Sequence, residues 1–374
     1  MSDYGEPAAD PLPGRAGPSR ARRLRLAALV VLLVVVVVAV IRVVAAAGPP
    51  TREQLRERAG LTGKQTLLIG VKDDQPGVSQ QLENGAFEGF DIEIAYMIAD
   101  DLGFDAPRVE FLPIESEDRA RRQARAPDGR FVTVDLVVAS YSITDDRRQK
   151  GVNFSAPYLE TEQSVITRAS DDRPVTSLRD LAGRKVCTIG TSTSEDRLTD
   201  LLTDLGATAR GRNRISECVQ ELYDGTVDAV TTDAAILAGF VGPRPPGELP
   251  PMTKLKNVQE LRHWDIGDDG SELWGVNTGP NPAMRDLVNL SLQESATGPD
   301  GERWRAAFDR YLRSEQPANN PQQVAVDRQP EPGPEDRVEV RRWPWERFAL
   351  PYPHRPGPAL PTGVARRGRR SSGC

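Results

Sequence analysis

The chain has 374 residues, which is enough for one large or two medium domains. Its formal net charge of −6 gives no basic surplus, so nucleic acid is not the expected partner. Two histidines and three cysteines supply little for histidine-based catalysis or for metal ligation by clustered side chains, which argues against most hydrolases and metalloenzymes. We therefore expect no catalytic residue, no metal and no cofactor.

The first 47 residues predict a membrane segment. Residues 1–25 are polar and end in a basic cluster, and residues 26–47 are apolar except for Arg42. Such a run can span a bilayer core, which needs about 20 residues. The basic flank predicts a cytoplasmic N-terminus and an extracellular remainder. We expect an uncleaved single-pass anchor with Arg42 at the outer interface; secretion after signal cleavage behind Ala45-Ala46-Ala47 is the alternative.

From residue 65 onward, predicted strands alternate with predicted helices. Residues 91–102 repeat apolar side chains at helical spacing, and residues 119–125 are basic and are also predicted to be helical. Ser194 and Glu195 are typical of a helix N-terminus, as a cap and a first-turn acid. The alternation predicts an α/β fold with mostly parallel sheets and right-handed crossovers.

A strand that ends in hydroxyl residues and an arginine is the first candidate for a ligand site. Residues 134–139 are mostly apolar, and Ser140, Ser142 and Arg147 follow them. In open α/β sheets ligands bind beyond the carboxyl ends of the strands, and an arginine fork can hold a carboxylate through two hydrogen bonds. The residues alone leave a second interpretation open, a polar turn whose arginine pairs with one of the two aspartates before it.

The composition changes again after residue 314. Eleven of the 31 prolines fall in the last 58 residues, and residues 366–370 are strongly basic. A segment of this composition is not expected to bury a core. Residues 315–374 are therefore predicted to be a disordered tail rich in proline and arginine.

The segment GFDIEIAYMIADDLG, residues 89–103, resembles the signature of the family 3 extracellular solute-binding proteins, which serve polar amino-acid ABC transporters. Five further segments follow the order of that family: IGVKDDQPG (69–77), ASYSITDDRRQKGVNFS (139–155), GTSTSED (190–196), VDAVTTDAAI (227–236) and SELWGVNTGPNPAMRDLVNLSL (271–292). The resemblance covers about residues 65–314. It is strongest to the actinobacterial glutamate-binding branch.

The resemblance implies a two-lobed periplasmic-binding-protein-like fold of type II, in which two crossing strands form the hinge. The crossings are expected near residues 158–163 and 273–275. The implied organisation is a cytoplasmic segment (1–25), an anchor (26–47), a spacer (48–64), lobe 1 (65–160 and 275–314), lobe 2 (161–274) and the tail (315–374).

The resemblance also implies a set of ligand contacts from lobe 1. Arg147 would clamp the α-carboxylate of an amino acid, and its planar fork suits that role. The hydroxyl of Ser142 would contact the α-carboxylate and the α-amino group. Ser140 would offer its backbone carbonyl to the amino group, and Phe90 would pack on the aliphatic part of the ligand.

Lobe 2 would close the site from the other side. Thr193 and Ser194 would present free backbone N–H groups at a helix N-terminus, where an anion is favoured. Asp233 would pair with the α-ammonium group. Cys187 and Cys218 both fall in this lobe, and an exported protein can join them in a disulfide; two buried thiols are the alternative.

Selectivity for a dicarboxylate ligand requires a second cation. Lys72 in the first loop is the predicted cation, with Asp74 of the same loop among the ligand contacts. One of Arg119, Arg121 or Arg122 is the alternative. A solvated Lys72 that pairs with a neighbouring aspartate remains open.

The implied function is capture of a polar amino acid (glutamate, aspartate, glutamine or asparagine) for delivery to an ABC permease, with no nucleic-acid partner. A sensor module that signals through a membrane partner is the second possibility. The third is an enzyme on the same scaffold, and the scarcity of histidine weighs against it.

Overall fold

The computed structural model describes residues 20–196, 198–199, 208–241, 255–267, 271–297 and 301–341. The chain divides into two compact units, Met1–Pro50 and Thr51–Cys374. The second unit holds the sheets and the predicted binding site.

The described part of the first unit is one long helix, Arg20–Ala47. Its span Arg20–Val40 is long and apolar enough to cross a membrane, and its large apolar side chains are exposed. An apolar surface on every side is typical of a helix surrounded by lipid. The helix begins inside the predicted basic segment 1–25, so Arg20, Arg22, Arg23 and Arg25 form its first turns; residues 1–19 lie outside the described residues.

The described residues of the second unit contain fourteen strands. In chain order they are β1 Leu67–Val71, β2 Asp74–Gln75, β3 Ser79–Gln81, β4 Phe87–Glu88, β5 Val109–Pro113, β6 Gln123–Arg125, β7 Phe131–Thr133, β8 Leu136–Val137, β9 Phe154–Arg168, β10 Lys185–Ile189, β11 Thr208–Arg212, β12 Ala229–Asp233, β13 Leu261–Asp265 and β14 Ser271–Asn277.

Nine of these strands form one sheet in the order β11-β10-β12-β9-β14-β8-β1-β5, with β13 also paired to β9. We call the part built on β8, β1 and β5 lobe 1 and the part built on β12, β10 and β11 lobe 2. The strands within each part are parallel, and β9 and β14 are antiparallel to their neighbours. The first half of β9 pairs with β14, and its second half pairs with β12 and β13. This confirms the predicted two-lobed α/β fold with two crossing strands.

The helices of the second unit pack on this sheet or on one another. The α-helices among the described residues with both ends defined are Arg52–Arg58, Phe90–Asp101, Asp145–Gln149, Ile215–Tyr223, Ala234–Ala238, Pro282–Thr297, Gly301–Tyr311 and Gln316–Asn319. The helix Phe90–Asp101 follows the predicted apolar spacing, and its apolar face is buried. Gly89 precedes it with φ +130°, and a Cβ there would lie 2.3 Å from the carbonyl oxygen of Val78. Only glycine fits this close approach.

The helix predicted for residues 119–125 is wrong. Strands β6 and β7 form a hairpin there, with Gln123 paired to Thr133. Arg119 and Arg122 bind backbone carbonyls. Arg121 and Arg125 are exposed, and Arg121 pairs with Asp118. Arg122, with φ +56°, donates to the carbonyl oxygen of Val134 at 2.8 Å. A left-handed backbone conformation cannot continue an α-helix.

The predicted disorder of residues 315–374 is also wrong for residues 315–341. Val324 and Ala325 are buried in the core, and Val338 and Val340 pack against it. An extended, proline-rich segment lacks some N–H donors and has its remaining polar groups bonded by neighbouring elements, so it can pack without regular structure. Residues 342–374 lie outside the described residues.

Cys187 on β10 and Cys218 on the helix Ile215–Tyr223 form a disulfide, with Cα atoms 5.4 Å apart. This confirms the predicted pair. The bond joins a strand of lobe 2 to the helix packed on it. Cys218 is separated from Cys187 by 31 residues, so the bond closes a long loop.

We expect the double substitution Cys187→Ser and Cys218→Ser to lower the free energy of unfolding by about 3–4 kcal/mol, because it restores the freedom of that loop in the unfolded chain. Urea denaturation measures the loss. Cys374→Ser is the matched control and should leave the midpoint unchanged. Equal midpoints for the double variant and the wild type would contradict the prediction.

Candidate functional site

The segment after β8 is fixed by buried hydrogen bonds. Ser140 has φ +43°; its N–H donates to Asp91 Oδ2 at 2.8 Å and its hydroxyl to Gln75 Oε1 at 3.0 Å. The hydroxyl of Tyr158 donates to the other oxygen of Asp91 at 3.0 Å. Burial raises the pKa of Asp91 to about 7, although both hydrogen bonds favour its charged form. The position of Ser140 is therefore set by lobe 1 itself.

Arg147 lies in a short helix whose first turn is capped by Thr144. Its guanidinium donates to the carbonyl of Ser142 at 2.7 Å and to the carbonyl of Thr191, in lobe 2, at 3.0 Å. It also lies 4.6 Å from the centre of the Tyr141 ring. Arg147 thus faces the gap between the lobes and donates to a carbonyl of each lobe. The polar-turn interpretation predicted a pairing with one of the two preceding aspartates instead.

Arg119 is a second guanidinium in the same place. It is 4% exposed, lies 4.5 Å from the centre of the Tyr141 ring and donates to the carbonyls of Ala139 and Ser140 at 3.2 and 3.1 Å. Burial lowers its pKa to about 10, with Arg147 as the next cause. The sequence offered Arg119 only as one of three alternatives, because no geometric argument distinguished it from Arg121 and Arg122.

Asp233 approaches these arginines from lobe 2. It ends β12, is 4% exposed and accepts a hydrogen bond from the indole N–H of Trp274 at 2.6 Å. Burial and the charge of Glu272 raise its pKa to about 7, against the Trp274 hydrogen bond and the charges of Arg119 and Arg147. Asp233 is thus a buried carboxyl at the carboxyl end of a lobe 2 strand. Its hydrogen bond to Trp274 was not predicted, because pairing across the hinge is not visible in the sequence.

The second contribution of lobe 2 is the loop after β10. A helix begins at residue 193, and its cap is Ser192, whose hydroxyl accepts from the N–H of Glu195 at 3.1 Å. The predicted cap, Ser194, lies inside the first turn instead. Its hydroxyl is buried and has no hydrogen-bond partner among the described residues. Thr193 is half-buried, and Thr191 contacts Arg147, so this loop borders the same gap.

The first loop of lobe 1 joins the lobes at the rim of the site. Asp74 Oδ2 accepts from the N–H and the hydroxyl of Ser216, both at 3.1 Å, at the start of a lobe 2 helix. Its Oδ1 is buried without a hydrogen-bond partner among the described residues. Asp73 pairs with Arg214 of lobe 2 at 2.7 Å. Asp74 therefore caps a helix across the gap, a role the sequence did not suggest.

Lys72 is 1% exposed and lies beside this contact. Its Nζ is 3.4 Å from the hydroxyl of Ser116 and 3.8 Å from Glu115 Oε2. Burial lowers its pKa, which the charges of Asp74 and Glu115 partly oppose. A fully buried ammonium group excludes the solvated alternative.

Phe90 requires a correction. Its side chain is fully buried, and its ring packs against Tyr158, Trp304 and Phe308 at centroid distances of 6.4, 5.8 and 6.4 Å. Trp304 and Phe308 belong to the helix Gly301–Tyr311 of the core. The ring is used for packing inside lobe 1, and we do not include it among the ligand contacts.

A buried chain of side chains resembles a hydrolase triad. His263 Nε2 is 2.6 Å from the hydroxyl of Ser164, and its Nδ1 is 2.6 Å from Asn319 Oδ1. Ser164 is fully buried, so a substrate cannot reach it. Burial lowers the pKa of His263 to about 4, far from the value near 7 that a general base needs. This group is structural.

Comparison with known proteins adds to this geometry. Residues 67–314 match the bacterial extracellular solute-binding proteins, family 3. Glutamate-binding protein GluB of Corynebacterium efficiens is 38% identical over 66% of this chain and 77% of its own length. The ABC transporter glutamine-binding protein GlnH of Bacillus subtilis is 30% identical over 52% of this chain and 68% of its own. An ancestral arginine-binding protein bound to arginine is similar in structure, with TM-score 0.54, 28% identity and coverage of 66% and 98%.

We expect Arg119→Met to lower the free energy of unfolding by about 2–4 kcal/mol, because it leaves the carbonyls of Ala139 and Ser140 buried without a donor. Arg121→Met is the matched control: this side chain is 69% exposed, and its loss should change stability by at most about 0.5 kcal/mol. Thermal or urea unfolding measures both. Equal small losses would show that Arg119 does not support the site.

Proposed function

Because the chain belongs to the bacterial extracellular solute-binding proteins of family 3, we propose that it captures a polar amino acid, with glutamate as the preferred ligand. Capture takes place between the two lobes, outside the cytoplasm. The observation that carries the proposal is the meeting of two lobe 1 arginines, Arg119 and Arg147, with a lobe 2 carboxyl, Asp233. The carboxylate of an amino acid can pair with the arginines, and its ammonium group can pair with Asp233.

The α-carboxylate is assigned to Arg147 and to the hydroxyl of Ser142. The α-ammonium is assigned to Asp233, together with the carbonyl of Ser140, which has a second lone pair beside the one that Arg119 uses. On the lobe 2 side, the buried hydroxyl of Ser194 and the N–H groups of its turn complete the contacts to the carboxylate. Each end of the ligand would then touch both lobes, so binding favours the closed arrangement.

The second carboxylate of glutamate is assigned to Lys72, supported by the nearby charge of Arg119. Burial lowers the pKa of Lys72, and the charge of Arg119 adds to this shift, whereas Asp74, Glu115 and Asp73 oppose it. A γ-carboxylate would bring an opposite charge to the buried Lys72 ammonium group, whereas a γ-amide would not. The similarity to glutamate-binding proteins supports the same preference.

The helix Arg20–Ala47 is proposed as a single-pass anchor that leaves the binding unit outside the cell. The arginines of its first turns support a cytoplasmic N-terminus by the positive-inside rule. A tethered receptor stays near a membrane partner, and delivery to an ABC permease is the proposed next step. The similarity to an ABC transporter binding protein supports that step.

Calorimetry on the full chain in detergent, with glutamate, aspartate, glutamine and asparagine, tests the proposal. We expect glutamate to bind most tightly and Arg147→Met to weaken every ligand by about 100-fold, because it removes a charged hydrogen-bonding group common to all complexes. Lys72→Met should weaken glutamate about tenfold more than glutamine. No binding by any of the four refutes the proposal, and equal losses remove Lys72 from its role.

The raised pKa of Asp233, about 7, predicts a pH dependence of binding. Only the ionised carboxyl pairs with the ammonium group, so Kd should rise by up to about tenfold for each pH unit below 7 and stay flat just above it. Trp274→Phe removes a donor that favours the ionised form, so the midpoint should move to higher pH.

Titrations between pH 5.5 and 8.5 measure this midpoint. Trp264→Phe is the matched control, because the indole of Trp264 donates to Thr167 at 2.9 Å instead of to Asp233. A Kd that is constant over the whole range would contradict the assignment of Asp233.

A further inference from the structure

A C-terminal segment lies beyond the family match, which ends at residue 314. We call residues 316–341 the C-terminal strap. It follows the last long helix, Gly301–Tyr311. Its residues Asn319, Gln322 and Val324 are at most 1% exposed. A segment that buries side chains this completely is part of the folded unit.

The strap is bonded to lobe 2 through Asn319. The amide oxygen of Asn319 is 2.6 Å from His263 Nδ1, on β13. Its amide nitrogen donates to the carbonyl of Ala238 at 3.3 Å. Ala238 ends the short helix that begins directly after Asp233, the carboxyl of the proposed site. The strap therefore holds the lobe 2 element that carries a ligand contact.

The strap is also bonded to the hinge. The N–H of Val326 donates to the carbonyl of Glu160 on β9 at 2.9 Å. The hydroxyl of Thr161, the next residue of β9, donates to the carbonyl of Val324 at 2.9 Å and accepts from the N–H of Ala235 at 3.2 Å. One hydroxyl thus joins the strap, the crossing strand and the helix that follows Asp233.

The far end of the strap is fixed to lobe 1. Gln329 accepts from the hydroxyl of Ser295 at 2.9 Å and donates to the carbonyl of Leu292 at 2.9 Å. The N–H of Val338 donates to the side chain of Gln293 at 3.0 Å. These partners all lie on the helix Pro282–Thr297. The strap therefore contacts lobe 2 at one end, the hinge in its middle and lobe 1 at the other end.

We propose that the C-terminal strap is a third connection between the lobes, which holds them in the closed arrangement and raises the affinity for the ligand. Opening is a rotation about the crossing strands. That rotation must either break the bonds of Asn319 to lobe 2 or pull Gln329 away from lobe 1. Both sites are buried, so either break leaves polar groups without partners.

The test uses the full chain with Cys374→Ser and two spin labels, at Glu83→Cys in lobe 1 and Asp172→Cys in lobe 2, both exposed positions. Pulsed electron resonance measures the distance between the lobes without ligand. Asn319→Ala removes the hydrogen bonds of the strap to lobe 2, and Gln329→Ala removes its hydrogen bonds to lobe 1. Each variant should therefore add a population with a longer distance between the labels. Combined, they should add little more than either alone.

Amino-acid affinity is the second readout. Each single variant should raise Kd by about tenfold, because apparent affinity scales with the closed fraction. Gln259→Ala is the matched control. It removes a hydrogen bond, 2.7 Å long, from a side-chain amide to the carbonyl of Tyr223 within lobe 2, and it should change neither readout. Unchanged distances in both strap variants overturn the proposal, as do fully additive effects. The distance measurement needs no ligand, so it stands apart from a failure of the proposed function.

Discussion

Strand β9 hydrogen-bonds to β14 in its first half and to β12 and β13 in its second, and the arrangement of the site depends on that continuity. Because one sheet runs through both lobes, the carboxyl ends of β8 and β12 open into the same gap. Arg147 lies in the segment after β8, and Asp233 is the last residue of β12. A two-lobed protein whose halves shared no strand would have to position these groups by side-chain packing alone. Here the backbone hydrogen bonds of β9 position both groups.

The site brings together buried charges that are incompletely balanced. Two guanidinium groups lie on one tyrosine ring, and the pKa of the facing carboxyl is raised to about 7 by burial and by Glu272. Burying charges without partners is costly. The proposed zwitterionic ligand would supply the opposite charge at both places. The protein would then bear part of the cost of desolvating its charges before the ligand binds. The shape and the hydrogen-bonding groups of the site are also set before binding. Asp91, for example, fixes the backbone of Ser140 by accepting a hydrogen bond from its N–H.

The sequence was sufficient for the features that depend on local pattern and resemblance. These include the alternating strands and helices, the two lobes, the Cys187–Cys218 bond and the position of Asp233 at a strand end. It was not sufficient where a charged side chain is satisfied by distant backbone. Arg119 stands among acids and arginines and looks solvated, yet it is buried because two carbonyls after β8 accept from it. The prediction for Phe90 was incorrect for the converse reason. Its ring packs into the core of lobe 1 because rings from a helix more than 200 residues away in the sequence pack against it. The composition of residues 315–341 predicted disorder because the segment is rich in proline. The segment is ordered because neighbouring elements hydrogen-bond to its polar groups.

The disulfide makes the stability of the chain depend on whether its cysteines are reduced or oxidised. The cytosol keeps thiols reduced, so a protein of this extracellular family is synthesised without the Cys187–Cys218 bond. Before oxidation, lobe 2 lacks the cross-link between β10 and the helix that Asp74 caps from lobe 1. The reduced chain is therefore less stable in lobe 2 than the oxidised chain. Oxidation after export would then consolidate lobe 2 by joining β10 to that helix.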